Sequence, residues 1–123
     1  MHRRPSGCRG SATAETAVLL PVLVVVLAAA VWVLACVAAQ LKCVDAARAA
    51  ARAAARGDTS ADVRAVGERL APAGAAVRIS SGDGTVRVLV TADARPFGSV
   101  LRVLPALAVS GRATAAVEPG TAP

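Results

Sequence analysis

The dominant pattern along the chain is an uninterrupted apolar run from Ala17 to Ala39. Across these twenty-three residues no side chain is charged, and the only polar ones are Cys36 and the indole of Trp32. A helix rises about 1.5 Å per residue, so the run reaches roughly 35 Å and covers a hydrocarbon core of about 30 Å. The remaining residues hold too little apolar material to enclose such a helix. The run therefore predicts a membrane-spanning helix, with Pro21 inside it.

The helical pattern continues beyond the apolar run into a segment rich in Ala and Arg. Both residue types are strong helix formers, and Gly57 supplies a stop signal. Arg48, Arg52 and Arg56 recur every four residues and form one stripe. Because like charges at that spacing repel, we expect the stripe to face solvent, lipid phosphates or the acids of a partner. The opposite Ala surface suits packing against neighbouring helices, unless the segment is a low-complexity spacer.

After Gly57 the chain offers capping residues and then a second, shorter helical pattern. Asp58 to Asp62 contains several N-cap candidates, and apolar residues at helical spacing follow up to Ala71. Pro72 and Gly74 then break the pattern. This segment predicts a short helix.

The C-terminal part of the chain alternates apolar and polar residues, as strands do. Two alternating segments flank Ser81–Gly84 and predict a hairpin, with Arg78 and Arg87 pointing outward. Pro96-Phe97-Gly98 marks a loop. The segment from Ala108 to Val117 predicts a third strand, which we expect to bend at Gly111.

These elements predict an α+β fold. A long N-terminal transmembrane α-helix extends into an Ala/Arg-rich helix, and a small head with a short helix and a three-stranded antiparallel sheet follows. The expected boundaries are a basic leader at 1–10, the long helix at 11–57, the head at 58–118 and a disordered tail at 119–123. A head of about sixty residues buries a marginal core, so we expect it to lean on the long helix or on a partner.

Composition and charge exclude several functions. The chain has a formal net charge of +6 but one Trp, one Phe and no Tyr. It therefore lacks the aromatic platform on which single-stranded nucleic acid stacks. The one histidine, His2, and three scattered cysteines provide too few ligands for a metal site. No nucleophile–base pair or phosphate-binding glycine loop is evident. We expect no enzymatic activity, no cofactor, no metal, no small-molecule substrate and no nucleic acid partner.

Two cysteines, Cys36 and Cys43, lie seven residues apart on the long helix. That spacing separates them by roughly 10 Å, which is too far for a disulfide within one helix. We expect Cys36 to be a small buried hydrophobic residue, whereas Cys43 is open to an intermolecular disulfide. Cys8 belongs to the predicted leader.

The junction between the basic N-terminus and the apolar run carries the most specific motif. The basic segment ends at Gly10, a small polar segment starts at Ser11, and Glu15 stands directly before the apolar run. This arrangement resembles the class III signal of type IV pilins. The sequence from Arg9 to Leu23 is similar to the start of TadE-like proteins, the minor pseudopilins of the Tad (tight adherence, Flp) pilus system, which carry a similar Ala/Arg-rich segment after the apolar helix.

The resemblance implies a processing site and an assembly residue. A prepilin peptidase would cut between Gly10 and Ser11 at the cytoplasmic face, so that Glu15 becomes the fifth residue of the mature chain. Its carboxylate would meet the free amine of a neighbouring subunit, which fixes the register between subunits. The implied partners are the membrane, the peptidase, other pilin or pseudopilin subunits and the pilus assembly platform. The implied protein is a structural one, single-pass in the inner membrane, with a cytoplasmic N-terminus and an extracytoplasmic head that joins or primes a surface pilus.

Simpler interpretations of these residues stay open. Gly10 also fits a loop, and Glu15 also fits a solvated acid that complements the helix dipole. Basic residues flank the apolar run on both sides in nearly equal number, so charge alone does not set the topology. One alternative is an unprocessed single-pass membrane protein whose small outer domain binds another envelope protein. Another is a secreted protein released after Ala39.

Overall fold

The computed structural model describes residues 8–95 and 103–117, and their side chains from Gly10 onward. The leader residues 1–7, the loop predicted at 96–98 and the tail at 119–123 lie outside the described residues. The elements are two helices and three strands, and they confirm the predicted α+β fold: α1 (Cys8–Ala55), α2 (Ser60–Leu70), β1 (Ala76–Gly82), β2 (Thr85–Ala94) and β3 (Leu107–Ala116).

The N-terminal part of α1 leaves its apolar side chains uncovered. Contacts divide the chain into two units, Met1–Val33 and Leu34–Pro123. In the first unit, each large apolar side chain from Val18 to Leu27 exposes 54–67% of its surface. The helix continues through Pro21 without a break. By length and composition α1 could cross a membrane, and only 6% of its most apolar window is buried.

The C-terminus of α1 is closed by a glycine turn. Gly57 adopts φ 87°, the left-handed conformation that favours glycine. Its N–H donates to the carbonyl of Ala54 at 3.0 Å, and the N–H of Asp58 donates to the carbonyl of Ala53 at 3.2 Å. This pair of hydrogen bonds is the Schellman motif, which satisfies the last carbonyls of a helix. The stop signal at Gly57 therefore turns the chain toward α2.

Thr59 is the N-cap of α2. Its hydroxyl accepts a hydrogen bond from the N–H of Asp62 at 3.2 Å and donates to the Asp62 carboxylate at 2.7 Å. The Thr59 side chain thus satisfies one unpaired N–H of the first turn, and the Asp62 carboxylate holds the hydroxyl in place. On the inner side of this helix, Gly67 lies against Val77 of β1 and Ala50 of α1. A side chain at this position would crowd both neighbours, so the glycine allows α2 to approach closely.

The three strands form one antiparallel sheet in the order β1-β2-β3. The turn between β1 and β2 consists of Asp83 at φ 52° and Gly84 at φ 70°, the two positive values that a two-residue hairpin requires. β3 pairs with β2 without interruption, and Gly111 stands opposite Val90. The bend expected at Gly111 is therefore wrong, because the glycine lies within a regular strand.

The core lies between one face of the sheet and the C-terminal half of α1. The sheet contributes buried valines from all three strands, among them Val77, Val88, Val90 and Val109. The helix contributes a stripe of small residues at helical spacing: Cys36, Cys43, Ala46, Ala47, Ala50, Ala53 and Ala54. The smooth Ala surface, which the sequence assigned to neighbouring helices, is thus covered by the head of the same chain. Small side chains serve this contact because they let a sheet approach the helix closely.

Candidate assembly site

Gly10 and Ser11, the predicted cleavage pair, lie within the first turns of α1. Both residues are exposed, and a Cβ placed at Gly10 would meet no atom within 4 Å. The space around Gly10 would therefore accommodate a side chain. A peptidase that cut here would need the bond in an extended conformation, so the first turns of α1 would have to unwind. Glycine costs a helix about 1 kcal/mol relative to Ala, which makes this end of α1 easier to unwind.

Glu15 lies one helical turn after Ser11, on the same side of α1. Its side chain is exposed, and in the described part of the chain its carboxylate has neither an ion pair nor a hydrogen bond. The neighbouring Thr16 hydroxyl donates to the carbonyl of Ala12 at 2.9 Å and so bonds back to its own helix. A carboxylate at the start of an apolar run is costly in hydrocarbon unless it meets a cation or a donor. Glu15 is therefore available to a partner outside its own chain.

The residues that mark the predicted span differ in exposure. Ala17 and Pro21 are exposed on α1, whereas Trp32 and Ala39 are partly covered. The indole nitrogen of Trp32 is buried without an acceptor in the part of the chain that the structure describes.

The structure exposes all three arginines of the predicted stripe, Arg48, Arg52 and Arg56. Arg56 reaches over the helix end and donates to the Asp58 carboxylate at 3.1 Å, with 64% of its side chain still exposed. Such an exposed pair contributes about 0–1 kcal/mol and leaves Arg56 accessible. In residues 8–95 and 103–117, Arg48 and Arg52 form no ion pair. Two of the three guanidiniums thus have no counterion among the described residues.

The sequence did not reveal a hydrogen-bonded contact between α1 and β3. The Gln40 side-chain amide donates from Nε2 to the Ser110 carbonyl at 2.7 Å, and its Oε1 accepts from the Ser110 N–H at 3.1 Å. A side-chain amide with this arrangement imitates a paired strand. Gln40 therefore satisfies the backbone of Ser110 on an edge strand, where both groups would otherwise be unpaired. No local pattern could predict it, because seventy residues separate the two partners.

Next to this contact, β3 crosses the backbone of α1 at Gly111. A Cβ at this position would overlap the carbonyl of Cys43 and the nitrogen of Val44, both backbone groups that cannot rotate away. Glycine inside a strand often marks such a close approach. This close contact with α1, rather than a bend in the strand, explains why residue 111 is a glycine.

The same crossing encloses Cys43. Its side chain has no exposed surface, and Cys36 is 5% exposed. Both thiols are free. Burial raises the pKa of the Cys43 thiol because it disfavours the charged thiolate. The sequence left an intermolecular disulfide through Cys43 open, and the burial of this thiol in the folded chain disfavours it. Cys36 is the small buried hydrophobic residue that we predicted.

Comparisons with known proteins find a matching family and a similar protein of known sequence. A family model described as TadE-like protein matches residues 10–52, from the glycine of the predicted cleavage pair to the middle of the arginine stripe. The chain is also 36% identical over 107 residues to Apoptosis inhibitor Rv3655c of Mycobacterium tuberculosis (strain ATCC 25618 / H37Rv). That alignment covers 87% of this chain and 79% of the mycobacterial protein. No solved structure matches the chain significantly.

Proposed function

The chain belongs to the TadE-like family, and on that premise we propose that it is a minor pseudopilin of a Tad-type pilus or a related secretion system. Its role would be structural, in assembly, and not enzymatic. The observation that carries the proposal is the exposed apolar part of α1, which continues directly from Gly10 and Glu15. Within the described residues, the first buried side chain of α1 is that of Cys36. The uncovered part therefore needs lipid before assembly and neighbouring subunits after it.

In this role a prepilin peptidase removes the basic leader between Gly10 and Ser11. The arginines of the leader hold the bond at the cytoplasmic face, where anionic lipids attract them. Cleavage gives Ser11 a free amine and leaves α1 attached to the head. The mature protein is a single-pass subunit of the inner membrane with an extracytoplasmic head.

Glu15 acts in the next step, when subunits associate. The Glu15 carboxylate has no partner within the described residues of its own chain, and the amine of Ser11 on a neighbour supplies one. In a medium of low dielectric constant this pairing strongly favours one register over its alternatives. Arg48 and Arg52 are exposed and form no ion pair within the described residues, so they offer a second contact to acidic groups of a partner.

Processing is tested by replacing Gly10 in the full chain and expressing the variant with the prepilin peptidase of the native host. Gly10→Leu should abolish the shift to the shorter form on a gel. Because a Cβ at Gly10 meets no atom within 4 Å, the variant should keep its fold. Ala14→Leu, another exposed position of the same helix, is the matched control and should be cut normally. Equal processing of the two variants would contradict the cleavage site.

The role of Glu15 is tested in the same host. Glu15→Ala should insert into the membrane and be processed, yet pilus formation should fall at least tenfold because the register contact is lost. Glu15→Asp retains the charge and should restore part of the assembly. Wild-type levels of pili with Glu15→Ala would remove that role from Glu15.

The alternative is an unprocessed membrane protein whose outer domain binds another envelope protein. It shares the exposed helix with the first proposal but gives Gly10 no function. Under this alternative the Gly10→Leu variant and the wild-type chain migrate identically in the presence of the peptidase. The processing experiment therefore separates the two proposals directly.

A further inference from the structure

The face of the sheet that points away from α1, here called the outer face, carries three arginines around one apolar residue. Arg78 of β1, Leu89 of β2 and Arg112 of β3 stand directly opposite one another in the strand register. Arg87 lies two residues before Leu89 on β2 and therefore on the same face. All three arginines are exposed, and Leu89 is half-buried among them.

A groove with a volume of about 590 Å³ runs over this face at the β1 side of the sheet. Its lining contains these three arginines and Arg64 of α2, together with Leu89, and no acidic residue lines it. In the described part of the chain none of the four arginines forms an ion pair. Four guanidiniums that share one concave surface repel one another, so a partner with carboxylates would relieve the repulsion. Arginine binds carboxylates with two parallel hydrogen bonds, which adds direction to the attraction.

The groove follows an open edge of the sheet. Gly82 and Thr85 close a two-residue hairpin, so this pair exchanges both of its backbone hydrogen bonds. In an antiparallel ladder the hydrogen-bonded pairs alternate with unbonded ones. The N–H and C=O groups of Val77, Ile79 and Ser81 therefore point away from β2.

No backbone group in the described residues pairs with that side of β1. β1 thus differs from β3, where the Gln40 amide binds the outward backbone groups of Ser110. Gly67 of α2 contacts β1 on the inner face, through the Val77 side chain. The outward groups of β1 remain free to accept another strand.

We propose that the open edge of β1 accepts an extended, acidic segment of a partner protein as a fourth strand. The backbone of the segment pairs with Val77, Ile79 and Ser81, and its alternate side chains lie on the outer face beside Arg78. A lipid headgroup could neutralise the arginines but would leave the strand edge unpaired. A polypeptide satisfies both features. The proposal goes beyond the pseudopilin role and does not depend on cleavage at Gly10.

The test is a peptide titration of the full chain, isotope-labelled in detergent micelles and followed by amide NMR. The probe is an end-capped octapeptide of four Thr-Glu repeats, and the matched control peptide has four Thr-Gln repeats. At low salt the acidic peptide should give saturable shifts at the Val77, Ile79 and Ser81 amides. The Gln peptide should bind at least about tenfold more weakly, since charge-assisted hydrogen bonds are about twice as strong as neutral ones.

Two pairs of variants separate the contribution of the arginine charges from that of the backbone groups at the β1 edge. Arg78→Gln should weaken binding of the acidic peptide about three- to tenfold, whereas Arg69→Gln, an exposed arginine of α2 that does not line the groove, should leave binding unchanged. Ser81→Pro removes an outward N–H that the sheet does not use, so the fold should tolerate it while peptide binding falls. Ser81→Ala is its control and should bind as the wild type does.

Three results would overturn the proposal. The first is equal affinity for the Glu and Gln peptides, because the arginines would then not select the partner. The second is binding without any response of the three edge amides. The third is a response of the arginine face to phosphatidylglycerol vesicles with no response to the acidic peptide, which would identify the face as a membrane contact. None of these results bears on processing at Gly10, so a failure here is distinguishable from a failure of the pseudopilin role.

Discussion

Replacing Gly111 with alanine adds one methyl group where β3 crosses α1. The new Cβ would overlap the carbonyl carbon and oxygen of Cys43 and would lie 2.5 Å from the nitrogen of Val44. These are backbone atoms of a helix whose own hydrogen bonds hold them in place. The strand must therefore move away from the helix, and the two hydrogen bonds between Gln40 and Ser110 must lengthen or break.

The expected cost follows from two opposing effects. Overpacking of a tight contact costs about 1–3 kcal/mol. Because the clash at Gly111 is with backbone atoms, we expect a cost near the upper end of that range. Alanine also restricts the unfolded chain relative to glycine, which returns about 0.4–1 kcal/mol. We expect a net loss of about 2 kcal/mol in the free energy that holds β3 on α1. Since about 1.4 kcal/mol corresponds to a tenfold change, opening should become about 30-fold more frequent.

The thiol of Cys43 reports this opening directly, because the side chain has no exposed surface in the closed state. The full chain in detergent micelles is treated with iodoacetamide, and peptide mass spectrometry separates Cys43 from Cys8 and Cys36. When closing is faster than alkylation, the rate at Cys43 is proportional to the opening equilibrium. Gly111→Ala should therefore raise that rate about 30-fold at constant pH.

Gly82→Ala is the matched control. It adds the same methyl group to a strand glycine, but at a position where a Cβ meets no atom within 4 Å. Its alkylation rate at Cys43 should stay within about twofold of the wild type, as surface substitutions usually change stability by less than 0.5 kcal/mol. If Gly111→Ala also stayed within twofold, the close crossing would be refuted as the reason for the glycine.

The remaining predictions concern the other contacts of the head. Thr59→Ala removes the cap that binds the Asp62 N–H and should lower the free energy of unfolding by about 1 kcal/mol in urea titrations, whereas Thr59→Ser should change it little. Gly67→Leu should cost about 1–3 kcal/mol, because even a Cβ there lies 3.2 Å from both methyl groups of Val77; an unchanged urea midpoint would contradict this packing. Burial raises the pKa of Cys43 above its ordinary 9.0, so the contribution of this thiol to folding stability should be constant below about pH 9 and fall above it, as the unfolded thiol ionises first. A Cys43→Ala variant should lose that part of the pH dependence, and an identical slope in both proteins would contradict the assignment.

Features that depend on neighbouring residues could be predicted from the sequence. Alternating valines indicated the strands, and Gly57 indicated the end of the long helix. Ser81–Gly84 indicated the hairpin turn, although the structure assigns Ser81 and Gly82 to β1. Each of these signals lies within a few residues, where backbone conformation and side-chain period act directly. The family resemblance rested on the segment after Arg9, and the comparison with TadE-like proteins confirms it over residues 10–52.

Contacts between distant segments could not be predicted in the same way. The Ala surface of α1 is apolar enough for several partners, and only the folded chain shows that the sheet covers it. Gly111 did carry a signal, since glycine in a strand marks either a bend or a close approach, but choosing between them requires the position of α1. Gln40 gave no signal at all, because a polar residue after an apolar run looks like ordinary solvent exposure. The roles of Gly10, Ser11 and Glu15 in processing and assembly stay predictions.

The most direct test of the pseudopilin role is the N-terminus of the mature protein. The chain is purified from membranes of its native host, and its intact mass and N-terminal peptide are measured by mass spectrometry. Processing by a prepilin peptidase predicts a chain that begins at Ser11 and retains the apolar helix. A chain that begins at Met1, or one that begins after Ala39 and is found in the medium, would contradict the proposed function.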